Sequence, residues 1–135
     1  MFRRYSAKDR DALIHLWNTV FPDNAKHNDP AKMIDDKLKV DDLLFVIEQG
    51  GELVSACIAG YDGHRGWLYA VATLPSYRRH GFAKVLITSA INEMKQLGCE
   101  KVNLQIRGSN SAVKSFYESL GFCVEDRISM SLVRT

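Results

Sequence analysis

The sequence predicts one domain of the α/β (α+β) class, in which a mixed sheet is covered by helices on both faces. The main observation is the order of its strand-like and helix-like segments, which reads βααβββαβαβ. Three successive strand-like segments in the middle of the chain are also joined by short turns, as in a meander. A length of 135 residues suits one continuous core, so residues 1–135 are expected to form a single domain.

The chain is predicted to begin with one strand and two helices. Residues 2–5 suit a short strand, and Ser6 suits the N-cap of the helix that follows. The apolar residues of that helix share one face: Leu13, Leu16, Trp17 and Val20. A second, shorter helix is predicted from Pro30 to about Lys39, because Asp29 supplies a capping side chain and proline suits the first helical position.

The middle of the chain is predicted to form a three-stranded meander. Residues 43–48 and 53–60 are β-rich, and residues 49–52 form a glycine-containing connection of hairpin length. A further turn at residues 62–66 leads into a third strand over residues 67–73.

The second half of the chain returns to helical periodicity. Apolar residues recur at helical spacing, and Gly98 is placed to end this helix: Ala83, Leu86, Ile87, Ala90, Met94 and Leu97. Residues 101–107 alternate as in a half-buried strand, and residues 111–120 are predicted to be helical. Residues 122–132 are expected to supply one or two closing strands.

The overall composition favours a soluble, cytoplasmic protein. Lys and Arg number 18 against 16 Asp and Glu, so the net charge of +2 predicts neither a nucleic-acid nor a membrane partner. No apolar stretch approaches the roughly 20 residues of a membrane-spanning helix, and the N-terminus lacks the apolar core of a secretion signal. The cysteines are predicted to be reduced and largely buried, since their number is odd and their spacing suits no metal: Cys57, Cys99 and Cys123.

The most informative segment, residues 73–84, lies between a predicted strand and the long helix. Unpaired N–H groups at a helix N-terminus favour an anion such as phosphate, and Arg78 and Arg79 would add positive charge. Gly81 permits close approach of the backbone, and the small Ala83 leaves the first helical turn open. The alternative is a solvated, charged turn. A P-loop is excluded because the chain has no G-x-x-x-x-G-K-[ST].

The pattern Arg-x-x-Gly-x-Ala at residues 78–83 resembles the signature of the GNAT N-acetyltransferase family, where it also follows a proline and an aromatic residue. Asn110, residues 116–118 (Phe-Tyr-Glu) and residues 120–122 (Leu-Gly-Phe) are similar to the second acyl-CoA motif of that family. Together with the element order, the resemblance covers essentially the whole chain. A closer likeness to YpeA-type bacterial acetyltransferases rests on three segments: residues 28–30, 60–66 and 128–132.

This resemblance implies the GNAT fold, with a mostly antiparallel sheet and splayed central strands, and acetyl-CoA as cosubstrate without a metal. In the family, the strand before the loop is bulged and pairs with the pantetheine arm, and one of its N–H groups polarises the thioester. The residues so assigned to acetyl-CoA are Val71, Ala72, Thr73, Arg78, Arg79, His80, Gly81, Phe82, Ala83, Lys84 and Asn110. Val71 and Ala72 could equally be core residues, and Asn110 could simply cap the following helix.

The resemblance also places Tyr117 beside the sulfur of CoA, which makes it the candidate catalytic acid. A phenol, with an ordinary pKa near 10, can protonate the departing thiolate at neutral pH. The alternative is an aromatic residue packed against Phe116 and Phe122.

No general base is evident, although an alkylammonium acceptor must lose a proton before it attacks. The strand at residues 67–73 contains no Asp or Glu, and Gln105 on the next predicted strand cannot usefully accept a proton. Asp62 and His64 could act through water, or could serve only the turn that contains them. Three residues are weaker candidates for contact with the acceptor: Asp29, Trp17 and His27. Asp29 could instead cap a helix, and Trp17 could instead be a core residue.

The sequence therefore predicts direct transfer of an acetyl group from acetyl-CoA to a primary amine in a ternary complex. The acceptor is either a small-molecule amine or a protein N-terminus or lysine, and the protein is a monomer or homodimer. The alternative is a non-catalytic acyl-CoA-binding module that senses CoA or regulates a partner.

Overall fold

The computed structural model of the protein describes residues 1–23 and 26–134. These residues group into two compact units, one of Met1–Gln105 and a second that begins at Ile106. Among the described residues, the first unit contains a five-stranded sheet and three α-helices, and the second contains one α-helix. The predicted α/β class is therefore confirmed.

The sheet of the first unit is mixed. Its strands are β1 (Phe2–Arg4), β2 (Leu44–Gln49), β3 (Glu52–Tyr61), β4 (Gly66–Thr73) and β5 (Val102–Asn103). They lie in this order, with antiparallel pairing from β1 to β4 and parallel pairing between β4 and β5. The predicted meander is β2, β3 and β4. Gly50 and Gly51 turn its first hairpin with φ of 59° and 81°, the left-handed conformations that tight hairpin turns demand.

The helices follow the predicted order: α1 (Arg10–Val20), α2 (Pro30–Val40) and α3 (Phe82–Gln96) in the first unit, and α4 (Ser111–Ser119) in the second. Asp29 caps α2 as predicted, since its carboxylate accepts the N–H of Lys32 at 3.2 Å and Pro30 opens the helix. The structure differs at Ser6, which precedes a 3-10 turn at Ala7–Asp9 rather than α1 itself.

Apolar side chains cover both faces of this sheet. One face carries a buried cluster from α1, α2, the strands and the residue after β4: Leu13, Leu16, Trp17, Ile34, Leu44, Val46, Leu53, Ala56, Ile58, Ala72 and Leu74. Because side chains alternate along a strand, Phe45 and Ile47 of β2 are buried on the other face. There α3 packs against β2, β3 and β4 with its own buried residues: Leu86, Ile87, Ala90 and Met94.

Two segments predicted to be strands differ in the structure. The predicted strand 101–107 is reduced to Val102–Asn103, because only these two residues pair with β4. The predicted closing strands at 122–132 are wrong for the described residues, which form no strand there. The alternating apolar residues of this segment are exposed: Ile128 (90%), Met130 (89%) and Leu132 (94%). A strand needs a partner for its N–H and C=O groups, and alternation along one segment does not specify that partner.

Candidate active site

A β-bulge interrupts β4 near its C-terminal end. Ala56 on β3 lies opposite Ala72, but Ile58 lies opposite Tyr69, so one residue of β3 faces both Ala70 and Val71. Ala70 has φ of 49°, which is uncommon for a residue with a side chain. The extra residue in β4 therefore redirects the backbone immediately before Ala72 and Thr73.

Two buried donors fix the carbonyl groups beside this bulge. The indole Nε1 of Trp17, on α1, donates to the carbonyl oxygen of Ala70 at 2.9 Å. From the neighbouring strand, the hydroxyl of Ser55 donates to the carbonyl oxygen of Ala72 at 2.9 Å and lies 2.9 Å from the hydroxyl of Thr73. Neither contact has a local sequence signal, so these roles of Trp17 and Ser55 could not be predicted from the sequence.

The outer edge of β4 is open beyond its first two residues. β5 pairs only with Gly66 and Trp67, and over the described residues no other strand continues the ladder along Leu68–Thr73. Tyr69 of this stretch is 50% exposed, and Ala70, Val71 and Thr73 are half-buried. The unpaired edge of a strand can bind an extended ligand through backbone hydrogen bonds. The bulge expected in this strand is present, and its pairing with β5 ends at Trp67.

The loop from β4 to α3 presents a positively charged helix N-terminus. Gly81 takes φ of 82° as the N-cap of α3, and the first helical bond runs from Val85 N–H to the Gly81 carbonyl. The N–H groups of residues 82–84 precede that bond and have no intrahelical acceptor. A Cβ built on Gly81 meets nothing within 4 Å, so the space above it is open. The exposed residues around this point carry the cationic side chains and an imidazole: Arg78, Arg79, His80 and Lys84.

Aromatic contacts hold this loop in place. The Tyr77 hydroxyl donates to the Glu52 carboxylate at 2.6 Å, which ties the loop to the hairpin between β2 and β3. That hydrogen bond to a carboxylate raises the pKa of Tyr77 above its ordinary value. Its ring meets the Phe82 ring edge-on, with centroids 5.9 Å apart. The structure thus brings residues 71–73 and 78–84 together along one continuous segment of the first unit.

The second unit contains the other two predicted site residues. Tyr117, on α4, is buried, and its ring lies edge-on to Phe116 and Phe122 at centroid distances of 5.1 and 5.4 Å. The side-chain oxygen of Asn110 accepts the N–H of Val113 at 3.2 Å and caps α4. The aromatic packing of Tyr117 and the helix cap formed by Asn110 are therefore both present. A role of either residue toward acetyl-CoA stays a prediction.

The candidate bases Asp62 and His64 lie in the turn between β3 and β4. One carboxylate oxygen of Asp62 accepts the N–H groups of His64 and Arg65 at 2.8 and 2.7 Å. These hydrogen bonds hold the pKa of Asp62 below its ordinary value, and the one from Arg65 has the largest effect. The lowered pKa makes Asp62 a weaker base. His64 is exposed, and Gln105 lies beyond the end of β5 rather than on it.

The three weaker candidates for acceptor contact lie in different environments. Trp17 is fully buried in the core of the first unit, so the predicted core position is correct. Asp29 caps α2, and His27 is exposed in the short turn Lys26–Asn28. Cys57 and Cys99 are buried free thiols, while Cys123 is exposed. Burial raises the pKa of Cys57 to about 12 and leaves it unreactive.

The described residues form neither a metal-binding cluster nor a membrane-spanning helix. Over residues 1–23 and 26–134, no cluster of three or more His, Cys, Asp or Glu side chains is arranged to hold a metal ion. No helix of that same part of the chain is both long enough and apolar enough to traverse a bilayer.

The fold and the bulged strand with its glycine loop are those of an acyl-CoA acetyltransferase, and comparison with known proteins assigns the family. Residues 10–122 match the model of the acetyltransferase (GNAT) family. An acetyltransferase of Sodalis glossinidius is 43% identical over 102 residues, which cover 75% of this chain and 72% of that protein. One from Pectobacterium atrosepticum is 37% identical over 130 residues, covering 95% of this chain and 91% of the other.

Solved structures share the fold at lower identity. An aminoglycoside acetyltransferase, AAC(6')-Iy, in complex with a CoA-containing bisubstrate analogue has a TM-score of 0.83 at 19% identity, covering 100% and 98% of the two chains. The ribosomal-protein-S18-alanine N-acetyltransferase of Escherichia coli has a TM-score of 0.79 at 24% identity, covering 90% and 76%. The chain belongs to the GNAT acetyltransferase family, and it is an N-acetyltransferase, as its sequence predicted.

Proposed function

We propose that the protein transfers an acetyl group from acetyl-CoA to a primary amine, by direct attack within a ternary complex. The observation that carries this proposal is the continuous segment in which the bulged, open edge of β4 leads into the glycine N-cap of α3. It offers backbone donors for a thioester at one end and for phosphate at the other. Solved GNAT neighbours contain CoA, among them AAC(6')-Iy and the PaiA N-acetyltransferase of Thermoplasma acidophilum.

The loop suits the pyrophosphate of CoA for electrostatic and steric reasons. The N–H groups of Phe82, Ala83 and Lys84 and the dipole of α3 favour negative charge at this helix N-terminus. Exposed Arg78, Arg79, Lys84 and His80 can add charge or hydrogen bonds to phosphate oxygens. The open space above Gly81 lets phosphate approach the backbone where any side chain would intervene.

The open edge of β4 suits the pantetheine arm and the thioester. Val71, Ala72 and Thr73 can pair with the amides of pantetheine as an added strand would. An N–H group of this stretch donates to the thioester carbonyl oxygen as that oxygen gains negative charge. Such a donor needs no particular side chain, which accounts for the ordinary residues found here.

The proton transfers assign the remaining roles. As the neutral amine nitrogen bonds to the acetyl carbon and the C–S bond breaks, Tyr117 gives its phenolic proton to the departing thiolate, and the proton that the new amide nitrogen sheds passes through water to restore the phenol. Asn110 contributes a side-chain contact to the cofactor, from the amide group that also caps α4. The acceptor loses its own proton to water, either directly or with exposed His64 as the final base, since the hydrogen bonds of its turn make Asp62 a weaker base.

The acceptor is either a small-molecule amine or a protein N-terminus or lysine. Both kinds are named for structural neighbours, aminoglycosides for one and an alanine of ribosomal protein S18 for another. The proposal needs no metal and no nucleic-acid or membrane partner, and it suits a monomer or homodimer. A cytoplasmic location suits a protein with three free thiols.

The test combines ligand binding with turnover. Acetyl-CoA should raise the melting temperature more than NADH or ATP at equal concentration, because a ligand that binds only the folded state stabilises it. Release of the CoA thiol is then measured with amino acids, polyamines, aminoglycosides and peptides, and activity with one class identifies the acceptor. Binding without turnover on any of them would support the non-catalytic acyl-CoA-binding alternative. Equal thermal shifts for all three ligands would contradict the CoA site.

A further inference from the structure

The bulge in β4 contains a backbone conformation that is intrinsically unfavourable for its residue, Ala70. Ala70 has φ of 49°, in the region that only glycine and a few polar residues adopt readily. Residues held in this way persist where the surrounding structure enforces them. The question is which contact enforces the conformation of Ala70.

The enforcing contact comes from α1, far away in the sequence. Trp17 is fully buried, and its indole N–H donates to the Ala70 carbonyl at 2.9 Å across 53 positions of the chain. An indole has one donor and no acceptor, and a buried donor without a partner is costly. The core position of Trp17 and the bulged position of Ala70 therefore support each other.

This hydrogen bond also sets the direction of an N–H group. The carbonyl of Ala70 and the N–H of Val71 belong to one planar, trans peptide unit, so they point in opposite directions. Holding the carbonyl toward α1 holds the Val71 N–H away from it. By the same argument, the Ser55 hydroxyl on the Ala72 carbonyl fixes the N–H of Thr73.

We infer that Trp17 is a positioning residue for acetyl transfer. Its indole N–H locks the bulge so that the N–H group of Val71 keeps the direction that thioester polarisation requires. The inference rests on the proposed function, in which an N–H of residues 71–73 donates to the thioester. Trp17 itself touches no substrate; it acts through Ala70.

The test removes the indole N–H and keeps an aromatic ring in the core. Trp17→Phe should lower kcat by roughly 10- to 100-fold, somewhat less than outright loss of an oxyanion donor, while the Kd for acetyl-CoA changes less than about threefold. Leu13→Val is the matched control. Leu13 lies on the same helix and is fully buried, but its side chain cannot donate a hydrogen bond. The control should keep kcat within about threefold of the wild type.

A second substitution separates positioning from packing. Ala70→Gly removes the side chain that opposes positive φ, so the bulge should depend less on its anchor. In the Ala70→Gly background, Trp17→Phe should cost less than about threefold in kcat. A purely structural Trp17 would give the same loss in both backgrounds, and that result would overturn the inference. If Trp17→Phe does not fold, benzothienylalanine at position 17 replaces the N–H by sulfur in the same bicyclic shape.

A readout independent of turnover keeps the two proposals distinguishable. In ¹⁵N-labelled protein without ligand, the amide signal of Val71 should shift in Trp17→Phe and stay in place in Leu13→Val. An unchanged Val71 signal in Trp17→Phe would refute the anchor, whatever the activity. If Trp17→Phe shifts the Val71 signal but the wild-type protein acetylates no amine, the proposed function is refuted and the anchor is retained.

Discussion

The proposed role of residues 78–84 in binding the pyrophosphate of CoA can be tested by placing a negative charge at the N-cap of α3. Gly81→Glu should fold, because a Cβ at this position meets no atom within 4 Å. The remaining cost is backbone strain, since φ of 82° is left-handed, and a side chain in that region costs about 1–2 kcal/mol. A domain of this size tolerates such a loss.

The effect on CoA binding should be much larger than the effect on stability. Two unit charges about 5 Å apart repel by about 1 kcal/mol at the dielectric of water and about 3 kcal/mol at an effective value of 20. The added side chain also blocks the approach of phosphate to the backbone. We therefore expect a loss of about 2–4 kcal/mol in binding free energy, or about 30- to 1,000-fold in Kd, measured by calorimetry.

Gly63→Glu is the matched control for this experiment. Gly63 has φ of 96°, is equally open around its Cβ position, and lies in the turn at the opposite end of β4. It should show the same small loss of stability and an unchanged Kd for CoA. A folded Gly81→Glu protein that binds CoA within threefold of the wild type would remove the loop from the proposed site.

Three further predictions concern proton transfer and acid stability. Tyr117→Phe should lower kcat by about 10²- to 10⁴-fold with little change in acetyl-CoA affinity if the hydroxyl protonates the thiolate, whereas a packing role predicts near-normal turnover. Asp62→Asn should leave kcat within about threefold between pH 7 and 9, and a loss that grows toward low pH would instead identify Asp62 as a base. The Arg3 guanidinium donates to both carboxylate oxygens of buried Asp9, at 2.7 and 2.8 Å, and lowers the pKa of Asp9. This pair therefore stabilises the fold at pH values above the ordinary carboxyl pKa. The stabilisation is lost as the pH falls through the lowered pKa of Asp9. Urea unfolding of Asp9→Asn should show a loss of about 1–3 kcal/mol at pH 7 that shrinks toward pH 3, while Asp42→Asn, whose carboxylate is 75% exposed, should change stability by less than about 1 kcal/mol.

The parts of the fold predicted from sequence are those that depend on neighbours along the chain. The meander of β2, β3 and β4 was located within one or two residues, because Gly50 and Gly51 define a hairpin and the flanking segments have β composition. The cap of α2 is equally local, since Asp29 and Pro30 act within one turn. Residues 122–132 have alternation but no local signal for a partner, and there the predicted strands were wrong.

The same distinction applies to the site. The conformation of the loop at residues 78–84 could be predicted because Gly81 directly precedes the apolar periodicity of α3, and its role toward phosphate stays a prediction. The contact between Trp17 and the carbonyl of Ala70 could not be predicted, because it joins positions 53 residues apart and uses a backbone atom that every residue carries. A tryptophan on an apolar helical face correctly predicts a core residue, and the direction of its N–H is decided by the fold alone.

The proposed chemistry uses backbone groups at both ends of the cofactor, and this determines which residue identities matter. A backbone N–H can be moved or blocked but cannot be deleted by changing its own side chain, except by proline. Selection of residues at such a site therefore acts on conformation: glycine at Gly81, where φ is 82°, and an anchor for Ala70, where φ is 49°. The exposed arginines of the loop would act differently in the proposed site, because several cations would share the charge of one pyrophosphate. Replacing one of them should cost less affinity than Gly81→Glu, and less turnover than Trp17→Phe, although the arginine would touch the cofactor and Trp17 would not.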